Sequence, residues 1–220
     1  QMQQCLSCSI SRKDIAASAP QEGSHETRFA AALRPDDAGQ PRSFKWDEGT
    51  HWRLLVGPGV MEVKDQLQGE TSFNPLEECG DFPIWTMRNE PAYQLAVVVD
   101  DLRQEITDVV RGNDLLPSAA RQQLIYQHLG QESPRWWHLP LVRGSDGRRL
   151  AKRHGDTRIS HYRERGTSPE RILGLLASWC GLIDEPELMK PEELLEKFDP
   201  GMLSMQDVIF SKEDEQWLTA

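Results

Sequence analysis

The segment GSDGRRLAKRHGD, residues 144–156, combines residue types that suit phosphate binding. Gly144 and Gly147 indicate a tight turn, and basic residues then bracket a short apolar pair. Among them, Lys152 carries a compact ammonium on a flexible stem, which can meet a polyphosphate. We therefore predict that Lys152 lies on a loop and stabilises negative charge on phosphates without covalent chemistry.

The elements that would position this loop begin near residue 92. A continuous apolar run, Leu95–Val99, predicts a strand buried on both faces of a parallel sheet. A second strand over 105–112, a helix within 114–130 and a third strand over 136–142 complete a βαβ unit. Ligands bind at the carboxyl ends of such strands. The polar residues expected there are Asp100, Asp101, Arg111, Asn113 and Asp114.

The flanking parts of the chain have different patterns. Residues 1–90 are polar, and the short runs 51–56 and 60–65 predict strands joined by a Gly-Pro-Gly turn. After residues 144–156 the chain is predicted to be helical. One helix follows an N-cap at Ser168, another covers 190–198, and a capping box at Ser211 starts a third. We expect an α/β fold with an α+β unit before it and helices after it.

Charge is distributed unevenly along the 220 residues, whose formal net charge is −10. Residues 135–171 hold ten Lys or Arg against four acids, whereas residues 183–220 hold eleven acids against three lysines. The basic segment is a candidate anion site, although a solvated basic face would have the same composition. No run of about 18 apolar residues occurs, so we expect a cytoplasmic protein without a membrane partner.

Four motifs in order carry a resemblance to a known family. Arg149–Arg153, RLAKR, resembles the KMSKS-type loop of class I aminoacyl-tRNA synthetases, and the following HYRERGTSPERILGLLA resembles the glutamyl branch of that family. The segments 92–101, 110–115 and His138–Leu141 are similar to the glutamate-pocket segments and to the strand before the loop. The resemblance implies the second half of a Rossmann-type nucleotide-binding fold.

The resemblance also implies roles for individual residues. Tyr93 matches a glutamate-binding tyrosine, Arg111 matches an arginine that binds the substrate, and Lys152 matches the loop lysine that contacts ATP. ATP would act together with Mg²⁺. Without the motifs, Tyr93 would be interpreted as a half-buried phenol, and Arg111 as the partner of Asp114 or Asp100 in an ion pair.

The length of the C-terminal part distinguishes branches of the family. Only 68 residues follow Lys152, and this shortness resembles the glutamyl-queuosine tRNA(Asp) synthetases. These enzymes attach glutamate to queuosine in the anticodon stem-loop of tRNA(Asp). The expected partners are therefore L-glutamate, ATP and tRNA(Asp), with a monomeric protein. Two alternatives stay open: a fragment of a conventional glutamyl-tRNA synthetase, and a noncatalytic RNA-binding relative.

Two departures from the family pattern shape these expectations. No His-x-Gly-His motif occurs in the chain, so we expect an N-terminally truncated fragment, inactive in isolation, rather than a reduced relative. The family also implies zinc, for which Cys5 and Cys8 supply only two of four ligands. His25, His51 or Cys79 could complete the site, but their spacing selects none of them.

We expect three domains from the resemblance and the composition together. Residues 1–90 would form an insert domain with a degenerate zinc site. Residues 91–145 would form the second half of the catalytic domain. Residues 146–220 would carry the KMSKS-type loop and a helical stem-contact region.

Overall fold

The computed structural model describes residues 4–10, 15, 28–40, 43–150 and 157–220. The chain divides into two compact units. Within the described residues, the first unit lies in 1–65, 69–109 and 115–136, and the second lies in 66–68, 110–114 and 137–220. Lys152 and the rest of 151–156 lie outside the described residues.

Strands predominate in the first part of the described chain and helices in its last part. The strands are β1 Cys5–Cys8, β2 His51–Leu54, β3 Met61–Asp65, β4 Gly69–Phe73, β5 Phe82–Trp85, β6 Asp108–Gly112, β7 Arg135–Leu139, β8 Val142–Arg143 and β9 Val208–Ile209. The helices are α1 Pro75–Glu78, α2 Tyr93–Arg103, α3 Leu116–His128, α4 Ile159–Glu164, α5 Pro169–Trp179, α6 Pro191–Lys197 and α7 Lys212–Thr219.

The first unit contains an antiparallel sheet in the order β1-β2-β5. The Gly-Pro-Gly turn at 57–59 follows β2 and precedes β3, as the sequence predicts. Strand β3 pairs antiparallel with β4, with Met61 opposite Phe73. Val63 is fully buried while its neighbours Glu62 and Lys64 are exposed, which is the alternation expected of a strand with one solvated face.

A mixed sheet in the order β4-β3-β7-β6 contains the strands of the βαβ unit. Strand β3 runs parallel to β7, with Asp65 opposite Trp136. Arg135 bonds Asp108 and Arg111 bonds His138, and both pairs are 27 residues apart. A constant sequence separation means that β6 and β7 run in the same direction. The predicted strands over 105–112 and 136–142 are therefore confirmed, and α3 connects them.

The predicted strand at Leu95–Val99 is wrong, because these residues lie in helix α2. Val98 is fully buried, and Leu95 and Leu102 pack against the same core, so the buried positions follow a spacing of three and four. A short continuous apolar run is compatible with either a buried strand or a buried helix. Asp100 and Asp101 consequently lie in the last turns of a helix and not at a strand end.

Helices dominate the second unit, as predicted. Ser168 caps α5 by accepting a hydrogen bond from the Arg171 amide, and Ser211 forms a capping box with Asp214 at α7. Tyr162, Leu175 and Leu218 form the core of this helical region. Gly174 lies so close to the Glu187 carbonyl that an added Cβ would be 1.6 Å from its oxygen. Glycine is therefore required where the loop between α5 and α6 passes over α5.

Asp81 is the centre of a buried polar cluster in the first unit. Its carboxylate accepts hydrogen bonds from Arg34 Nε at 2.8 Å and Nη2 at 2.7 Å, and from the amide of Val56 at 2.8 Å. The Asp81 side chain is 0% exposed, and that of Arg34 is 25% exposed. Because each carboxylate oxygen has a charged or backbone donor, the desolvation of this anion is compensated.

A second arginine extends this cluster into strand β2. Arg53 donates from Nη1 to the Asp81 carbonyl at 2.9 Å and from Nε to Nε2 of His51 at 2.9 Å. Its guanidinium also lies 4.5 Å from the centre of the Phe29 ring. Burial and the positive charge of Arg53 lower the pKa of His51 to about 4. We call Asp81, Arg34, Arg53 and His51 the Asp81 cluster.

We predict that acid weakens folding between about pH 6.5 and about pH 4 through His51. In this range the unfolded chain binds a proton at His51 that the folded chain does not bind. The free energy of unfolding therefore falls as the pH is lowered, by about 3 kcal/mol over the full range, and this contribution is constant above pH 6.5. Urea denaturation at a series of pH values measures the effect.

The variant His51→Gln is the control for this titration. Glutamine keeps an oxygen that can accept from Arg53 and has no proton to gain. Its free energy of unfolding should depend less steeply on pH over the same range. An unchanged dependence would contradict the assignment to His51.

Candidate functional site

Arg111 lies near the carboxyl end of β6, where the sequence predicts a substrate-binding residue. The parallel register places it beside His138 on β7, and Arg111 Nε donates to His138 Nε2 at 2.9 Å. His138 is 0% exposed. Its carbonyl oxygen accepts from Gln68 Nε2 at 2.8 Å. The Arg111 side chain is therefore held by a buried residue of the neighbouring strand.

Asp114 follows β6 and forms an ion pair with Arg149, three residues before Lys152. Its carboxylate accepts from Arg149 Nη1 at 2.7 Å. The sequence suggested an ion pair between Arg111 and Asp114, but Arg111 Nε donates to His138 instead. At Gly112, an added Cβ would be 2.7 Å from Asp114 Oδ1 and 2.9 Å from Leu141. A side chain at this position would therefore require the Asp114 and Leu141 side chains to shift.

The predicted turn before Lys152 is present. The Gly147 amide bonds the Gly144 carbonyl at 2.9 Å, and the Leu150 amide bonds the Val142 carbonyl at 2.9 Å. Gly147 has a φ of 72°, a left-handed conformation that glycine adopts without strain. The turn and the Arg149–Asp114 pair hold residues 144–150, which lead to Lys152, in place. The predicted phosphate-binding residue Lys152 itself lies outside the described residues.

Asp207 fixes the region between β7 and this turn. Its carboxylate accepts from the Leu141 amide at 2.7 Å and from Arg143 Nε at 2.5 Å. The hydrogen bond from Leu141 and the bonds from Arg143 and Asn113 hold the pKa of Asp207 below its ordinary value. Asn113, which the sequence predicted at the strand end, is hydrogen-bonded to Asp207. Asp207 was not predicted, because it is 66 residues from Leu141 in the sequence.

Tyr93, the second predicted glutamate-binding residue, is the first residue of α2. It belongs to the first unit, whereas Arg111 belongs to the second. Tyr93 is 63% exposed, so the interpretation as a half-buried phenol is wrong. The next residue, Gln94, faces inward, where it donates to Ser118 and accepts from Gln122. Those contacts hold the first turn of α2 and leave the Tyr93 ring accessible to a ligand.

Cys5 and Cys8, the two predicted zinc ligands, are not brought together. They are three residues apart in β1, so their side chains lie on opposite faces of the sheet. Cys5 packs in one core cluster with Trp52 and Leu54, and Cys8 packs in another with Leu6 and Phe29. Burial raises the pKa of the Cys5 thiol to about 11. Zinc binds the thiolate, which this environment disfavours.

The surroundings of Cys8 also do not fit a zinc ion. His51 lies directly opposite Cys8 in the sheet, but its Nε2 accepts from Arg53. The positively charged Arg53 guanidinium lies 2.9 Å from that nitrogen, and its charge disfavours a second cation there. The described residues contain no group of three or more His, Cys, Asp or Glu side chains that could hold a metal ion. We therefore derive no step through zinc.

The structure adds one observation about membranes. No helix among the described residues is long and apolar enough to span a bilayer.

Comparison with known proteins agrees with this geometry. The family described as "tRNA synthetases class I (E and Q), catalytic domain" matches residues 53–217. A glutamyl-Q tRNA(Asp) synthetase of Rhodopirellula baltica is 41% identical over 219 residues, which cover 91% of this chain and 64% of that protein. A glutamyl-Q tRNA(Asp) synthetase of Symbiobacterium thermophilum is 46% identical over 156 residues, covering 71% of this chain and 48% of that protein.

A solved structure is also similar to this chain. It is a glutamate tRNA ligase from Elizabethkingia meningosepticum in complex with its amino acid, with a TM-score of 0.67 and 26% identity. The match covers 77% of this chain and 38% of that chain. The parallel strands and this likeness confirm the predicted α/β Rossmann-type fold. The chain spans less than two thirds of the length of these relatives.

We predict that folding depends on the Asp81 cluster and not on zinc. Removing metal with EDTA should leave the thermal unfolding midpoint unchanged. Asp81→Ala should lower the free energy of unfolding by about 3 kcal/mol, because it leaves the Arg34 guanidinium without its buried counter-ion. Chemical denaturation, together with metal analysis of the purified protein, tests both statements.

Asp47→Ala is the matched control. Asp47 pairs with Lys45 at 3.2 Å at the surface, where its side chain is 57% exposed. Its loss should change the free energy of unfolding by less than about 0.5 kcal/mol. Stoichiometric zinc whose removal lowers the unfolding midpoint would contradict this prediction.

Proposed function

Because this chain belongs to the family of class I tRNA synthetases for glutamate and glutamine, we propose that it takes part in activating L-glutamate with ATP for transfer to tRNA. The observation that carries the proposal is the position of Arg111. It lies at the carboxyl end of a parallel strand, in the same unit as the turn that leads to Lys152. Sheets of this class bind ligands at that edge.

In the proposed reaction, Arg111 binds a carboxylate of glutamate through charge-assisted hydrogen bonds. The family resemblance assigns a further hydrogen bond to the amino acid to the Tyr93 hydroxyl. An oxygen of the glutamate α-carboxylate then attacks the α-phosphorus of ATP. The bond from that phosphorus to the bridging oxygen breaks, and pyrophosphate leaves with the electron pair. Lys152 stabilises the negative charge on the phosphates during this transfer.

In this scheme Mg²⁺ would bind together with ATP, as its counter-ion. Mg²⁺ keeps several water ligands and binds largely through substrate phosphates rather than in a protein cage. The steps above are therefore assigned to Arg111, Tyr93 and Lys152 alone.

The basic segment suits contact with tRNA phosphates. Arg148, Arg163 and Arg165 are exposed, and all three lie in the second unit. Guanidinium groups bind phosphate oxygens in a sequence-independent manner. We propose that residues 146–220 contact a tRNA stem through these side chains. The acidic C-terminal helices explain why the total charge of the chain is negative despite such a surface.

We propose queuosine of tRNA(Asp) as the acceptor, in a protein longer than these 220 residues. The names of the Rhodopirellula and Symbiobacterium relatives support the acceptor, and the 64% and 48% coverage of those proteins supports the greater length. A conventional glutamate–tRNA ligase is the second candidate, supported by the Elizabethkingia structure. The third candidate, a noncatalytic RNA-binding relative, agrees with the absence of a His-x-Gly-His motif.

We predict that Lys152→Ala lowers glutamate-dependent ATP–pyrophosphate exchange by about 100-fold in the protein translated from its complete coding region. The variant removes the charge that would stabilise the phosphates while glutamate still binds. The 220 residues alone are expected to show no exchange. Radiolabelled pyrophosphate incorporation into ATP measures both.

Lys197→Ala is the matched lysine control for this experiment. Lys197 lies in the last turn of α6, among acidic residues, and is exposed. Its removal should leave exchange within about twofold of the parent protein. Equal activities of the Lys152 and Lys197 variants would refute the role of the loop lysine. Complete absence of exchange with retained tRNA binding would favour the noncatalytic relative.

We predict that tRNA(Asp) containing queuosine is glutamylated, and that the same tRNA lacking queuosine is not. Under the proposed function, the modified base supplies the hydroxyl that accepts glutamate. Transfer of radiolabelled glutamate to the two forms, with tRNA(Glu) as a third substrate, measures the choice. Charging of tRNA(Glu) alone would favour the conventional ligase instead.

A further inference from the structure

His138 is a buried histidine for which the motif gave no role. Its side chain is 0% exposed, and its Nε2 lies 2.9 Å from Nε of Arg111. Arginine stays protonated and has only donors, so Nε2 of His138 must be the acceptor of this bond. The imidazole is then neutral, with its own proton on Nδ1. A protonated His138 would have no lone pair for Arg111 and would add a like charge beside it.

The position of the imidazole is fixed by its strand. The His138 carbonyl accepts from Gln68 Nε2 at 2.8 Å, and Trp136, two residues earlier in the same strand, is 2% exposed. Burial limits the rotamers available to His138, because close-packed surroundings leave no volume for alternatives. Its Nε2 is therefore a rigid acceptor at one point next to β6.

A rigid acceptor matters because arginine has a long side chain. A free guanidinium samples many rotamers and loses this freedom when it binds a ligand. An arginine that is already held by one hydrogen bond loses less on binding, and preorganisation of this kind increases affinity. Because the guanidinium is planar and rigid, the bond from Nε restrains the direction in which the whole group points.

We propose that His138 is a positioning residue that orients the Arg111 guanidinium for the carboxylate of glutamate. The inference rests on the proposed function, in which Arg111 binds that substrate. His138 acts through Arg111 and makes no contact with the reacting atoms. Its loss therefore affects glutamate binding much more than ATP binding.

The test compares His138→Leu with His138→Gln in the protein translated from its complete coding region. Leucine removes the acceptor, so KM for glutamate should rise about tenfold, while KM for ATP stays within about twofold. Glutamine restores an amide oxygen that can accept from Arg111 and should recover most of the glutamate affinity. His128→Gln, on an exposed histidine at the end of α3, is the control and should leave both constants unchanged.

Arg111→Ala separates failure of this inference from failure of the proposed function. If Arg111→Ala destroys glutamate binding and His138→Leu does not change it, the positioning role is wrong and the function stands. If Arg111→Ala leaves KM for glutamate unchanged, the proposed role of Arg111 fails. In the Arg111→Ala background, His138→Leu should have no further effect on KM.

A second measurement is independent of activity. A nitrogen-to-nitrogen hydrogen bond gives a measurable ¹⁵N–¹⁵N scalar coupling across the bond. NMR of the labelled 220-residue chain should show this coupling between Arg111 Nε and His138 Nε2. It should disappear in His138→Gln, where the acceptor is oxygen. Absence of the coupling in the unaltered chain would overturn the proposal.

Discussion

The parallel pairing of β6 with β7 is the constraint on which the candidate site depends. A constant separation of 27 residues joins Asp108 to Arg135 and Arg111 to His138. Because side chains alternate between the faces of a strand, a shift of one residue would move Arg111 away from His138. The same register brings the ends of both strands to one edge, where Arg149 bonds Asp114 and where Asp207 bonds Leu141. Arg111, the proposed glutamate-binding residue, and Arg149 therefore derive their positions from the pairing of β6 with β7.

The first unit depends on a different kind of interaction. Among its described residues, this unit contains a buried carboxylate that is held by an arginine and a backbone amide. Asp81 is satisfied by Arg34 and by the Val56 amide, and Arg53 joins the Asp81 carbonyl to His51. Such a cluster links strand β2 to the residues before β5 by charge-assisted hydrogen bonds.

The parts that the sequence predicted are those with strong local signals. The Gly-Pro-Gly turn, the strands on either side of it, the Ser168 cap and the Ser211 capping box all depend on neighbouring residues. Helix α2 was mistaken for a strand, because its three successive valines favour strands and only tertiary packing showed the helical period. Contacts between distant residues were not predictable: Arg34 reaches Asp81 across 47 positions, and Asp207 reaches Leu141 across 66. Arg111 was placed correctly near the end of a strand, but its hydrogen bond to His138 was not foreseen.

The placement of Cys5 and Cys8 on opposite faces of β1 has a consequence for redox chemistry. Three residues of extended strand separate their Cα atoms by about 10 Å, which exceeds the roughly 7 Å limit for a disulfide. An oxidant cannot join these thiols to each other unless the strand first leaves the sheet. Both are also buried, at 8% and 7% exposure, so reagents in solvent have little access to either sulfur. Strand β1 therefore forms no internal disulfide while it is in the sheet, although its sequence has the spacing of a reactive dithiol.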